Sequence, residues 1–348
     1  MSGNGIRRRD YFKIVGVGAG VGLLGGALSS QAFAGMRQGL KFSRSLSKSR
    51  DLDPNGGLSV ITLGTGTPIP SLDRACSATL IIAGNRTVLV DFGRGALIRL
   101  AQAQLLKTDL LLFTHYHSDH ISDFGELMVT RTVAGAKTPL PVIGPVGAKK
   151  VVNSMLDVFS MDKQYRITHH GAAFGSAGME APVTEAQPGV VYDKGGLKIT
   201  MFEVDHRPVV PAVGYKFEYK GKSIVVSGDT IKVPKMIEMA QGADILVHEA
   251  LNKKLLEIGA NRMNARVKKM ALDLHEYHTP HTEVAEIAKE ANVKKLVLTH
   301  MVPSPFNAAM GMLFTRGMGK IFKGPIELSK DLDEFSTFFQ SEEDFYHE

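Results

Sequence analysis

Three imidazoles and a carboxylate fall within six residues in His115-Tyr116-His117-Ser118-Asp119-His120. They follow the apolar run Leu110 to Phe113, which reads as a buried strand. A strand end holds the backbone still, and the loop after it lets side chains turn inward together. His115 and His117 alternate as strand residues do and can face one metal ion. Asp119 and His120 come after the turn and can face a second. Nitrogen and oxygen donors without thiolate suit zinc, or iron or manganese. A two-metal site needs further donors from elsewhere in the chain, and suitable ones occur downstream.

Six times an apolar strand is expected to end in a metal-capable or acid/base residue: Asp91, His115, His206, Asp229, His248 and His300. Strand ends that gather at one edge of a sheet form the place where α/β proteins bind ligands. The count fits two metals. His115, His117 and His206 would hold one, and Asp119, His120 and His300 the other. Asp229, with two carboxylate oxygens to share, is the natural bridge.

The chain that must position these groups has 348 residues, enough for one large α/β domain or two small ones. At 44% hydrophobic and 22% charged it has ordinary globular composition. Its formal charge is +6, and half of that excess lies in residues 1–34, where Arg7, Arg8, Arg9 and Lys13 face Asp10 alone. The remainder is too small to argue for nucleic acid by charge. Cys76 is the only cysteine, which excludes an intrachain disulfide and a cysteine-rich metal site.

Residues 1–34 read as an export signal. Arg8-Arg9-Asp10-Tyr11-Phe12-Lys13 resembles the twin-arginine pattern, an apolar, glycine-rich run follows from Ile14 to Leu28, and Ala32-Phe33-Ala34 is a small-x-small cleavage site before Gly35. That run is short for a membrane span, which needs about 20 residues, so no stable span is expected once the signal is removed; retention as an N-terminal anchor is the competing reading. Gly20-Val21-Gly22-Leu23-Leu24-Gly25 is a formal G-x-G-x-x-G, but no acid follows at the distance a dinucleotide loop requires. Residues 35–57 read as a linker, and residues 58–348 as the catalytic domain, with strands alternating with helices. Helices are expected at 121–133 and 147–159, irregular chain at 163–195, and a helix opened by Thr279 as N-cap and Pro280 in its first turn.

Thr114-His115-Tyr116-His117-Ser118-Asp119-His120 resembles the T-H-x-H-x-D-H signature of the metallo-β-lactamase superfamily. Leu63-Gly64-Thr65-Gly66-Thr67-Pro68, Gly144-Pro145, Gly228-Asp229-Thr230, His248-Glu249-Ala250, and His278-Thr279 placed 22 residues before His300 resemble its ribonuclease Z and arylsulfatase-like branch. The resemblance covers about residues 58–345. It implies a four-layer αββα sandwich, two Zn2+ ions held as assigned above (with manganese or iron as alternatives), and Asp91 orienting the ligands from behind. It also implies an acid/base group of His248, Glu249 and His278, with Asp119 counted both as metal ligand and as catalytic residue. His281 competes with His278, and spacing to His300 favours His278.

The implied activity is an exported, periplasmic or secreted binuclear zinc hydrolase that cleaves phosphodiester or sulfate ester bonds through a metal-bridging hydroxide. β-Lactam or lactone hydrolysis, or metal binding without catalysis, are the alternatives. Ribonuclease Z enzymes carry a long arm that grips transfer RNA, inserted between the third motif histidine and the bridging aspartate. Here His206 and Asp229 lie 23 residues apart, which leaves no room for it. That spacing and the export signal argue against transfer RNA and for a small-molecule ester. Phe306, Met310, Met312, Leu313 and Phe314 follow the last ligand and read either as an apolar lid or as ordinary core. Dimers are common among such proteins, so a homodimer is also an expectation.

Overall fold

The computed structural model describes residues 49–175 and 177–338. The export signal and most of the linker lie outside the described residues. Among the described residues no helix is long and apolar enough to cross a membrane.

Among the described residues, fourteen strands form two seven-stranded sheets. The first contains β1 (Leu58–Gly64), β2 (Ala78–Ala83), β3 (Arg86–Val90), β4 (Leu110–Leu112), β5 (Val142–Gly144) and β6 (Val183–Glu185), with β14 (Asp333–Ser336) paired outside β1. The second contains β7 (Gly189–Lys194), β8 (Leu197–Glu203), β9 (Val213–Tyr219), β10 (Lys222–Val226), β11 (Ile245–Leu251), β12 (Leu296–Val302) and β13 (Ile326–Leu328), in that spatial order. Leu58, Val60, Ile81, Val88, Val90 and Leu112 of the first sheet pack on Ile199, Met201, Tyr215, Phe217, Val226 and Val247 of the second. The opposite face of the first sheet is covered by helices that contribute Leu100, Phe124, Leu127 and Val152. That of the second is covered by Met236, Val284, Ile287, Ala288 and Phe314. Strands apolar on both faces are what a sheet buried on both sides requires, and the four layers are those of the expected αββα sandwich.

The two sheets are tied beneath the histidine stretch. The Tyr215 hydroxyl donates to the Phe113 carbonyl at 2.8 Å, and the Val213 amide donates to the Thr114 carbonyl at 3.0 Å.

Four local expectations need correction. Val183–Glu185 and Gly189–Lys194, within the stretch expected to be irregular, form the outer strands β6 and β7. Ser160–His170 is a helix rather than irregular chain; none of its residues is buried, so it has no apolar stripe to reveal it, and an Asp162–Arg166 pair at 2.7 Å one turn apart supports it. Thr279 does not cap the helix His281–Glu290: its hydroxyl donates instead to the Thr230 carbonyl at 2.5 Å. Of the proposed lid, Phe314 is fully buried core, whereas Phe306, Met312 and Leu313 stand exposed.

Candidate metal centre

The histidine stretch leaves β4 and passes directly into a one-turn helix, Ser118–Ile121. Gly93 makes this possible, since a Cβ there would overlap the Asp119 carbonyl oxygen. His115, Asp119 and His120 are buried and His117 is half-buried. From the second sheet come His206 after β8, Asp229 after β10, and His300 within β12. Gly228, at φ 63, sets the turn before Asp229, and a Cβ there would lie 2.7 Å from the Val213 carbonyl oxygen.

His248 and His300 do not end their strands: β11 runs on to Leu251 and β12 to Val302. The pairing shifts register between Glu249 and Ala250, opposite Thr299 and Met301, so His300 is left out of the ladder at φ 42. A bulge of this kind re-aims a side chain.

The donor atoms converge. His115 Nε2 lies 3.1 Å from His117 Nδ1, and His206 Nε2 lies 3.4 Å from the same atom. Zinc–nitrogen bonds of about 2.0–2.1 Å in a tetrahedron place the donors about 3.3 Å apart, so the spacing fits a single ion. Asp229 Oδ2 stands 3.9 Å from His115 Nε2 and 3.8 Å from His206 Nε2, and also 3.3 Å from His120 Nε2 and 3.5 Å from His300 Nε2. Asp119 Oδ2 is 3.1 Å from His300 Nε2. The sets His115, His117, His206, Asp229 and Asp119, His120, His300 each bring their ligand atoms within 4.8 Å of one another, with Asp229 central.

Hydrogen bonds behind the cluster decide which ring nitrogens are free. The Thr114 hydroxyl donates to Asp91 Oδ2 at 2.7 Å, so at 3.0 Å it can only accept from His115 Nδ1–H, which leaves His115 Nε2 with a lone pair towards the cluster. His206 Nδ1–H donates to the Tyr277 carbonyl at 2.8 Å, and His120 Nδ1–H to Asp91 Oδ2 at 2.8 Å. Partners of this kind fix the tautomer a metal needs. The Nε2 of His120 is buried with no hydrogen-bond partner, as expected for an atom meant to meet a cation. The residues present therefore fit a metal site.

The electrostatics agree. Burial holds His115 well below the ordinary imidazole range and also lowers His117 and His206, which keeps them neutral. Burial alone would raise Asp229, but His300, His120 and His115 outweigh it and hold the carboxyl well below its usual range. His300 is buried too, yet Asp229 and Asp119 push it up to about 9. A cluster with this much negative charge at its centre attracts cations.

His278 and Glu249 adjoin it. His278 stacks on His300 with ring centres 5.5 Å apart, and its Nδ1 lies 3.4 Å from Glu249 Oε1. Glu249 accepts from the Thr279 amide at 2.8 Å and lines a small cavity with Asp91, Asp229 and His300. His281 instead meets Asn252 and the Arg316 carbonyl. His248 is not brought to the acid/base group. It pairs in register with Leu298, on the face of β11 that packs against helices, while Glu249 takes the inner face. Alternation along one strand sends adjacent residues to opposite faces. Thr114 and the carbonyl of Tyr277 are parts of the site that residue type did not reveal; the threonine directly before the first histidine was the available signal.

Two packed sheets between helical layers, with a histidine and aspartate cluster at one edge, define a metal-dependent hydrolase of the αββα type. A "Beta-lactamase superfamily domain" matches residues 86–301. Proteins named ribonuclease Z are similar along most of their length. That of Mycobacterium sp. (strain KMS) is 39% identical over 279 residues, covering 79% of this chain and 94% of the relative. That of Mycobacterium marinum (strain ATCC BAA-535 / M) is 39% identical over 284 residues, covering 79% and 97%. Among solved structures, the metallo-β-lactamase fold protein YhfI from Bacillus subtilis shares the fold at a TM-score of 0.59 and 21% identity, covering 81% of this chain and all of that one. Human tRNase Z, short form, does so at 0.57 and 21%, with the same coverage. The chain belongs to the metallo-β-lactamase superfamily, in its ribonuclease Z branch.

That membership corrects the argument against transfer RNA and for a small-molecule ester alone. Relatives named ribonuclease Z align over more than nine-tenths of their own length with a chain whose His206–Asp229 spacing is short. A missing arm concerns how a large substrate is gripped, not which bond the site can cut.

Proposed function

We propose that this protein is a zinc-dependent phosphodiesterase that cleaves RNA, with two ions held by His115, His117, His206 and Asp229 and by Asp119, His120, His300 and Asp229. The observation that carries the reading is the convergence of seven donor residues in two adjoining sets, in a chain 39% identical to proteins named ribonuclease Z. Zinc held there would supply Lewis acidity towards a phosphoryl oxygen. The chain supplies the rest. Thr114, Tyr277 and Asp91 hold the imidazoles in their tautomers. His278 stands beside the cluster as the proton donor to the leaving oxygen, and Glu249, with Oε1 3.4 Å from its Nδ1, orients the ring.

Cleavage of a 3′-extended transfer RNA precursor, beside bis(p-nitrophenyl) phosphate and p-nitrophenyl sulfate, tests the reading on zinc-loaded protein. Cutting of the precursor that stops with chelator is the expected result. Hydrolysis of the sulfate alone would replace it with an arylsulfatase. The proposal includes export: Arg8-Arg9 and Ala32-Phe33-Ala34 support removal of residues 1–34, with 35–57 as linker and 58–348 as the mature catalytic domain. N-terminal sequencing of protein from a periplasmic fraction should begin at Gly35; a chain that begins at Met1 in the cytoplasm would remove this part.

A further inference from the structure

Between Glu249 and His278 the chain leaves the sandwich and forms two helices packed on each other, Lys253–Ala260 and Ala265–Asp273. Asn252 and Asn264 cap them, their side chains accepting from the amides of Leu255 and Val267. The base is anchored: Leu256, Ala271 and Leu274 pack on Leu251 and Val302 at the ends of β11 and β12. The outer part carries Lys253, Lys254, Arg262, Arg266, Lys268 and Lys269 against Glu257 alone over residues 253–269. Among the described residues only Lys269 of these has a carboxylate partner, Asp273 at 2.8 Å. Among the described residues no ion pair engages Lys253, Lys254, Arg262, Arg266 or Lys268, and these five cations fall within 16 residues of one element that carries a single acid, Glu257. Unpaired cations gathered on one projecting element repel one another, so the arrangement favours a polyanion as partner.

We infer that this basic helical hairpin is a docking surface for the phosphate backbone of RNA, holding the body of the substrate while its scissile bond lies at the metal cluster. The inference rests on the RNA reading above. Placement supports it: the hairpin runs through Leu274–Glu276 into Tyr277, whose carbonyl accepts from His206, and then into His278. A strand of RNA held along the hairpin is thereby carried to the edge where the donors converge. The exposed Met263, Val267 and Met270 lie beside the cations and would equally suit an anionic lipid surface, so lipid is the outcome to exclude.

The test is fluorescence anisotropy of a labelled RNA hairpin with a single-stranded 3′ end, titrated with full-length zinc-loaded protein at several salt concentrations. The comparison is the quadruple variant Lys253→Gln, Lys254→Gln, Arg262→Gln and Arg266→Gln. Each lost phosphate contact should take about 0.9 from the slope of log affinity against log salt, so the variant's slope should fall by about 2–4 with Kd on the order of 10–100-fold weaker. Turnover of bis(p-nitrophenyl) phosphate, which is too small to reach the hairpin, should be unchanged, and this control also shows that the variant folds. Wild-type protein that does not bind the RNA, or a variant with unchanged Kd and slope, would overturn the inference. Binding of phosphatidylserine vesicles in place of RNA would overturn it in favour of a membrane surface. Cleavage of transfer RNA precursor with unaltered variant binding would remove the docking surface and leave the activity standing.

Discussion

Asp229 Oδ2 is the atom on which the cluster turns, within 3.9 Å of four imidazole nitrogens. Asp229→Ala should therefore lose bound zinc and activity together, read by elemental analysis and diester hydrolysis; a variant that keeps two zincs would displace Asp229 from the centre. His278→Ala should keep its zinc and lose about 10²–10⁴-fold in kcat, most with poor leaving groups. Full activity of that variant would reject the proton-donor role. Asp91 accepts from His120, from the Thr114 hydroxyl and from the Thr114 amide. Asp91→Ala should weaken zinc binding by about 10–100-fold, since groups that orient ligands cost about that much when removed; competition with a chelator of known affinity measures it. At this scale the site was legible in the sequence wherever residue chemistry declares itself, as in His115 to His120. It was illegible where a backbone group acts, as the Tyr277 carbonyl does, because any residue type supplies a carbonyl.

The elements that aim these groups depend on backbone shapes that side chains resist. Asp91 and His300 hold φ of 58 and 42, in the left-handed region that residues with a Cβ seldom adopt. Gly228→Ala would add a Cβ at φ 63 and 2.7 Å from the Val213 carbonyl oxygen. It should lower stability by about 1–3 kcal/mol and loosen zinc with it; an unchanged urea midpoint would show that the turn tolerates a side chain. The central strands of both sheets were legible because their apolar runs are short and bounded by turn residues, whereas the outer strands β6, β7, β13 and β14 are largely solvent-facing and carry no such run. The extension of β11 past His248 was not, since the polar pair His248-Glu249 breaks an apolar run without ending the ladder. The helix Ser160–His170 escaped for the opposite reason, having no buried residue and so no apolar stripe.

Across the molecule, the sheets meet through an apolar interface crossed by few polar ties. Tyr215→Phe would leave the buried Phe113 carbonyl without its 2.8 Å donor and should cost about 1–3 kcal/mol in urea unfolding. No loss would mean that the carbonyl finds another partner. The layered architecture was legible from strands alternating with helices. What grips a large substrate was not, because a basic hairpin between two motifs has no pattern of its own until the fold shows where it projects.

The donors come from both halves of the sandwich: His115 to His120 follow β4, whereas His206, Asp229 and His300 belong to the second sheet. An ion held between them acts as a clasp, and the halves cannot part without releasing it. Occupancy at a hundred times Kd adds about 2.7 kcal/mol to the folded state. The amount of this protein that escapes proteolysis should then follow the supply of zinc around it, and in starved cells it should become scarce through degradation rather than merely idle.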